Sequence, residues 1–92
     1  MATIYRILKE FTIEVEGLSH SLKARIEKDL DDTNTEYPFR WEVSHFCKQE
    51  KRASEVYKPG STLAVSEEKA ESLLILYLKN FTNISVTKNP FY

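Results

Sequence analysis

Between residues 39 and 48 the chain alternates with a period of two. Phe39, Trp41, Val43, His45 and Cys47 fall on one parity, and Arg40, Glu42, Ser44 and Lys48 on the other. Extended backbone sends successive side chains to opposite faces, so this stretch predicts a strand with one face in a core. A sheet has to be built around it. With 92 residues there is material for one core only, because domains need about 50 residues and divide beyond roughly 250. Such a domain has a surface of about 5,500 Å² and a radius of gyration near 12 Å. A standard interface takes about 800 Å² of each partner, whereas a deep substrate cleft is hard to carve from so small a core. Size favours binding over catalysis.

Around that strand the rest of the chain reads as a mixed fold. Thr3 to Glu16 predicts a strand, with Tyr5, Ile7, Phe11, Ile13 and Val15 on one parity and a bulge near Lys9-Glu10. The rival there is a helix, since Ile4, Ile7, Leu8, Phe11 and Val15 also fit a 3.6 period. Leu22, Ile26 and Leu30 recur at helical spacing behind a Ser19 or Ser21 cap, which predicts a helix ending near Asp31. Residues 49–61 form a polar loop closed by Pro59-Gly60, and 62–65 predict a short strand. Ser66 caps a second helix, with Glu67 and Glu68 at its positive end and Lys79 at its negative end. Its apolar residues, from Ala70 to Phe81, span an arc of about 140°. Ile84 and Val86 end the chain with a last short strand. The expected fold is a single α+β domain over 1–92, in the order β-α-β-β-α-β. It resembles a ferredoxin-like split βαβ arrangement, an antiparallel sheet with two helices on one face.

Charge limits the partners. Thirteen basic residues nearly cancel fourteen acidic ones for a net charge of −1. A domain held to nucleic acid chiefly by charge has a pI above about 9, and a DNA mimic leans as far the other way. Any nucleic-acid contact is therefore expected to be local. Cys47 stands alone, which excludes an internal disulfide and suits a reducing compartment. Arg6, Lys9 and Glu10 interrupt the first residues where a signal peptide needs an apolar run. The longest such run, Leu73 to Leu78, is far short of the roughly 20 residues of a membrane helix. The expectation is a cytosolic protein with no membrane partner.

Chemistry-bearing residues are sparse. His45 and Cys47 share a strand face and form a conceivable nucleophile pair, but they run in phase with Phe39, Trp41 and Val43 and read as packing. His20, His45 and Cys47 lack the paired spacing of a zinc site. Gly17 and Gly60 are the only glycines, so no phosphate-binding loop exists. The acidic run Glu27, Asp29, Asp31, Asp32 and Glu36 lacks calcium-loop spacing and reads as a solvated helix end, with docking on a basic surface as its rival. No cofactor, metal, catalytic residue or small-molecule substrate is expected.

Two features stand out. Lys48, Lys51, Arg52 and Lys58 cluster with Tyr57 in one loop, the combination that grips a single-stranded backbone and an unstacked base, with a plain solvated polar loop as the rival reading. Ile75 and Leu76 fall on the polar side of the second helix, which suggests an interface or, as its rival, cover by strand edges or the C-terminal Phe91-Tyr92.

Read end to end, from MATIYRILKEF through the basic loop to KNPFY, the chain resembles phage-encoded anti-CRISPR proteins that inhibit type I-F CRISPR systems. The likeness lies in length and running sequence and in no motif. It implies a non-enzymatic inhibitor in the host bacterial cytoplasm, monomeric when free. Such a protein binds the crRNA-guided surveillance (Csy) complex on its spiral of backbone subunits, touches the crRNA, and blocks hybridisation of target DNA. No motif transfers site residues, so residue chemistry alone nominates them. Lys48, Lys51, Arg52, Tyr57 and Lys58 are the candidates for RNA, with Arg25 and Lys28 of the first helix as secondary ones. Asp29, Asp31 and Asp32, with Ile75 and Leu76, are the candidates for protein contact. The rival readings are a small toxin-type endoribonuclease and a dimerising phage regulatory module.

Overall fold

A computed structural model describes residues 3–31 and 36–92. It contains six strands and one helix among those residues: β1 (Tyr5–Ile13), β2 (Leu22–Asp29), β3 (Phe39–Val43), β4 (His45–Lys48), β5 (Leu63–Ala64), α1 (Glu67–Lys79) and β6 (Ile84–Lys88). Four strands form an antiparallel sheet in the order β1-β2-β3-β5, and β4 pairs antiparallel with β6 in a separate two-stranded sheet. The domain is α+β as expected, but it has one helix and does not follow the ferredoxin-like order.

The difference lies at residues 22–29, expected as a helix and found as β2. Leu22, Ala24 and Ile26 alternate onto one face and are buried, while Arg25, Glu27 and Asp29 take the other. Leu, Lys, Ala, Arg and Glu are good helix formers, but tertiary pairing overrides them. β2 lies between β1 and β3, and Arg25 and Glu27 stand directly opposite Glu42 and Arg40 across the ladder. Opposite charges at cross-strand positions stabilise a sheet and do nothing for a helix at those spacings. Glu27 and Asp29 of the acidic run are accordingly no solvated helix end, each being only 5% exposed, whereas Asp31 and Glu36 are exposed.

The segment from 39 to 48 is extended on either side of a bend at Ser44, so it is not the one strand expected. Ser44 divides it, and β3 and β4 enter different sheets. Ser44 is buried because its polar atoms are all used. Its N–H donates to the Lys23 carbonyl at 2.8 Å, its Oγ accepts from Lys23 N–H at 2.8 Å, and its carbonyl accepts from Asn89 N–H at 2.8 Å. The bulge in β1 falls between Ile7 and Lys9. It inserts Leu8 and reverses the phase, so Tyr5 and Ile7 face away from α1 while Lys9, Phe11 and Ile13 face towards it.

α1 starts where the sequence predicts, with Ser66 Oγ accepting from Lys69 N–H at 3.1 Å. It packs on β2, β3 and β5. Ala24, Ile26, Trp41, Val43, Ala64, Ala70, Leu74 and Tyr77 form the buried core of this interface. Lys9 bridges from β1 to Glu67 at 3.3 Å and Glu71 at 3.4 Å on the helix, and those hydrogen bonds hold its ammonium above its ordinary pKa. The surface is 6404 Å² and the radius of gyration 13.9 Å. Both exceed the values for a compact sphere-like domain.

Candidate functional site

The basic loop joins β4 to β5 and is pinned at its base. Tyr57 N–H donates to the Cys47 carbonyl at 2.6 Å. Its ring stacks on Tyr77 with centroids 4.6 Å apart and planes inclined by 16°, and Tyr77 Oη donates to the Tyr57 carbonyl. Burial pushes the Tyr77 phenol well above its ordinary pKa, with the neighbouring Cys47 and Tyr57 adding to the effect, so it stays a neutral donor. Tyr57 is therefore an anchor, with one ring face already covered. Lys58 Nζ lies 5.6 Å over the Phe46 ring, and the Lys48 carbonyl accepts from Thr82 Oγ1. Lys51 and Arg52 are exposed in a turn closed by Ala53 N–H on the Glu50 carbonyl at 3.2 Å. The loop thus presents Lys51, Arg52 and Lys58 to solvent on a fixed base.

The secondary RNA candidates sit on β2. Lys28 is exposed, 5.8 Å over the Phe39 ring. Arg25 belongs to a network on the sheet face away from α1, where it contacts Glu42 at 2.8 Å and Glu27 at 3.3 Å. Arg40 contacts Glu27 at 3.2 Å and Glu42 at 3.6 Å. Two tyrosines cover this quartet: the Arg40 guanidinium lies 3.6 Å from the Tyr5 ring and that of Arg25 4.2 Å from Tyr92. Burial draws the Arg25 pKa down, but the hydrogen bond it donates to Glu42 and the charges of Glu27 and Glu42 outweigh that and raise it overall. Arg25 is committed within the fold. Sequence reasoning missed Tyr5, Arg40, Glu42 and Tyr92 here; the one available signal was the complementary charge order of 25/27 and 40/42.

Among the protein-contact candidates, Asp29 is buried and its Oδ1 accepts from Asp31 N–H at 2.8 Å. Asp31 is exposed, and its Oδ2 accepts from Ile4 N–H at 2.6 Å. Asp32 lies outside the described residues. Ile75 and Leu76 are 44% and 60% exposed on α1.

Cys47 is fully buried, with Sγ accepting from Thr82 N–H at 3.3 Å. His45 Nδ1 lies 2.7 Å from Ser44 Oγ, and its ring is 5.3 Å from that of His20. Burial first, then His20 and Lys88, lower the His45 pKa. The two side chains are thus engaged with different neighbours. Among the described residues no group of three or more His, Cys, Asp or Glu is placed to hold a metal ion, and no helix is long and apolar enough to cross a membrane.

No protein family, curated protein or solved structure was found to match the chain.

Proposed function

We propose that this chain acts without catalysis, as a phage anti-CRISPR inhibitor that occupies the type I-F crRNA-guided surveillance complex. It sits on the backbone subunits, contacts crRNA through the 48–58 loop, and blocks hybridisation of target DNA. The observation that carries this reading is the loop itself. Lys51 and Arg52 are held in solvent by a base that Tyr57, Cys47 and Tyr77 fix in place, so their charge is presented without a large ordering cost on binding.

The charge balance sets the expected strength of the RNA contact. Each phosphate neutralised on a single strand contributes a log–log salt slope of about −0.7. Three cations in the loop then give a slope of about −2, far shallower than that of a binder held by charge alone. Most of the affinity must come from protein contact. The test is a pull-down of purified type I-F surveillance complex followed by a target-DNA binding assay. Co-purification with loss of DNA binding is expected, and Lys51→Glu/Arg52→Glu should weaken it. Full inhibition by that variant would remove the loop from the interface, and failure of the folded protein to bind an active complex would remove the proposal.

The exposure of Ile75 and Leu76 favours a second reading, a regulatory module that dimerises through α1. Sedimentation across a hundredfold concentration range separates the two. A constant monomer mass supports the inhibitor reading, and a mass rising to twice that value supports the module.

A further inference from the structure

In the order β1-β2-β3-β5 the first strand is an edge, and among the described residues no strand pairs with its outer side. The Ile4 carbonyl accepts from Leu30 N–H at 2.9 Å, so Ile4 turns its backbone groups towards β2. By the alternation of an antiparallel ladder Arg6 does the same, and Tyr5 and Ile7 direct their N–H and C=O to the open edge. The bulge after Ile7 ends this regular stretch. Unpaired donors and acceptors in a row are a template for another extended chain.

The side chains at this edge select the chain that fits it. Arg6 stands directly opposite Lys28, and like charges so placed weaken a sheet. Elsewhere the same sheet sets arginine against glutamate, Arg25 with Glu42 and Arg40 with Glu27. Among the described residues no carboxylate lies within ion-pair distance of Arg6 or Lys28. Glu67 and Glu71 are held by Lys9, and Asp31 Oδ2 accepts from Ile4 N–H at 2.6 Å. Both cations are exposed on the α1 side of the sheet, in a corner that α1 leaves open as it packs on β2, β3 and β5. Beside them, Ile4 and Leu30 are 55% and 40% exposed. A phosphate chain offers acceptors only and would leave the edge carbonyls and both aliphatic side chains unused. An extended peptide uses them all, provided that it brings a carboxylate to the cations and an apolar side chain to Ile4 and Leu30.

We propose that the β1 edge from Ile4 to Ile7 receives an extended segment of a protein partner as an added strand, with an acidic residue opposite Arg6 and an apolar one opposite Ile4. Backbone pairing then supplies the affinity and the alternate side chains the selectivity. The inference gives the protein-contact half of the proposed function a site, and moves Lys28 from RNA to that half. It rests on that reading for the identity of the partner alone.

The test is a ¹⁵N NMR titration of the full chain with the peptide acetyl-Thr-Val-Thr-Glu-Thr-Val-Thr-amide, whose side-chain pattern reads alike in either strand direction. Its controls are a version with lysine for glutamate, a version with proline flanking the glutamate on both sides, and the RNA hexauridylate. The glutamate peptide should give saturable shifts at the amides of Tyr5 and Ile7 and slow their exchange with solvent. Arg6→Gln and Lys28→Gln should each weaken that binding about two- to fivefold, and the lysine and proline peptides should bind more weakly still. No saturable shift, equal binding of the lysine or proline peptide, or hexauridylate moving the same amides would overturn the edge site. Intact binding of the glutamate peptide by a protein that fails to bind the surveillance complex would leave the site standing and remove only the partner.

Discussion

The two faces of the four-stranded sheet are closed by different physics. On the α1 side, Ala24, Ile26, Trp41 and Val43 meet Ala70, Leu74 and Tyr77, and removal of apolar area from water holds the layers together. On the other side, two arginines and two glutamates interlock across β2 and β3 beneath two tyrosine rings. The one helix among the described residues covers only one face with apolar material. The second face instead uses charges that pair with one another, with the buried Arg25 Nε in ion-pair contact with Glu27 but without a hydrogen bond, and aromatic rings that lie over them. The first arrangement tolerates approximate fit; the second depends on every partner being present.

Single substitutions should expose that difference. The largest loss is expected on the apolar face, where fully buried Leu74 replaced by alanine should cost about 2–5 kcal/mol in urea unfolding. On the charged face, Glu27→Ala leaves both arginines short of a partner and should cost about 2–3 kcal/mol, discounted for their partial exposure. The comparison sharpens with the combined change Arg25→Met/Glu27→Leu/Arg40→Met/Glu42→Leu. Replacement of a buried ionic network by apolar groups is often neutral or stabilising, so this variant should be more stable than Glu27→Ala alone. A still larger loss would mean that the tyrosine lids depend on the charges.

Gly17 lies outside both faces, in the β1–β2 loop. Its φ is +91°, and a Cβ there would lie 2.3 Å from Asn83 Nδ2, which donates to the Glu16 carbonyl at 3.0 Å. Gly17→Ala should cost about 1–2 kcal/mol, from the left-handed backbone and the displaced hydrogen bond. The smallest effect is expected at His45, where the strand passes between the two sheets. Its folded pKa is depressed below 6.5, so the unfolded chain takes up the proton first. This contribution is complete above pH 6.5 and is lost as pH falls through the folded value. His45→Asn should flatten the pH dependence of unfolding in that window, and an unchanged slope would show that the ring contributes nothing.

Local signals were legible wherever the chain itself satisfied them. The Ser66 cap, the acidic first turn and Lys79 mark α1 to within a residue, because capping is settled between neighbours. Parity reported extended backbone correctly in 39–43 and 45–48, on either side of the bend at Ser44. It was silent on sheet membership, since the hydrogen bonds from Lys23 and Asn89 that divide the strand at Ser44 come from distant segments. β2 was misread because its Leu22–Ile26–Leu30 spacing imitates a helix, while the complementary charges that make it a strand lie on β3. The same distance effect governs the candidate site. Exposed Lys51 and Arg52 followed from loop composition alone. The inward turn of Tyr57 depends on Tyr77, and the burial of Asp29 and commitment of Arg25 depend on a sheet pairing the helical reading did not contain.

The division at Ser44 also sets an order of assembly. β1, β2 and β3 are neighbours in sequence and in space, so they can zip as successive hairpins with short loops to close. β4 must wait for β6 across about forty residues, and the entropy of that closure is recovered only after α1 has docked. The small sheet should therefore be the last part to form and the first to open. Amide exchange should run faster in β4 and β6 than in β2 and β3, and the basic loop, whose base is Cys47, would gain its fixed shape only in that final step.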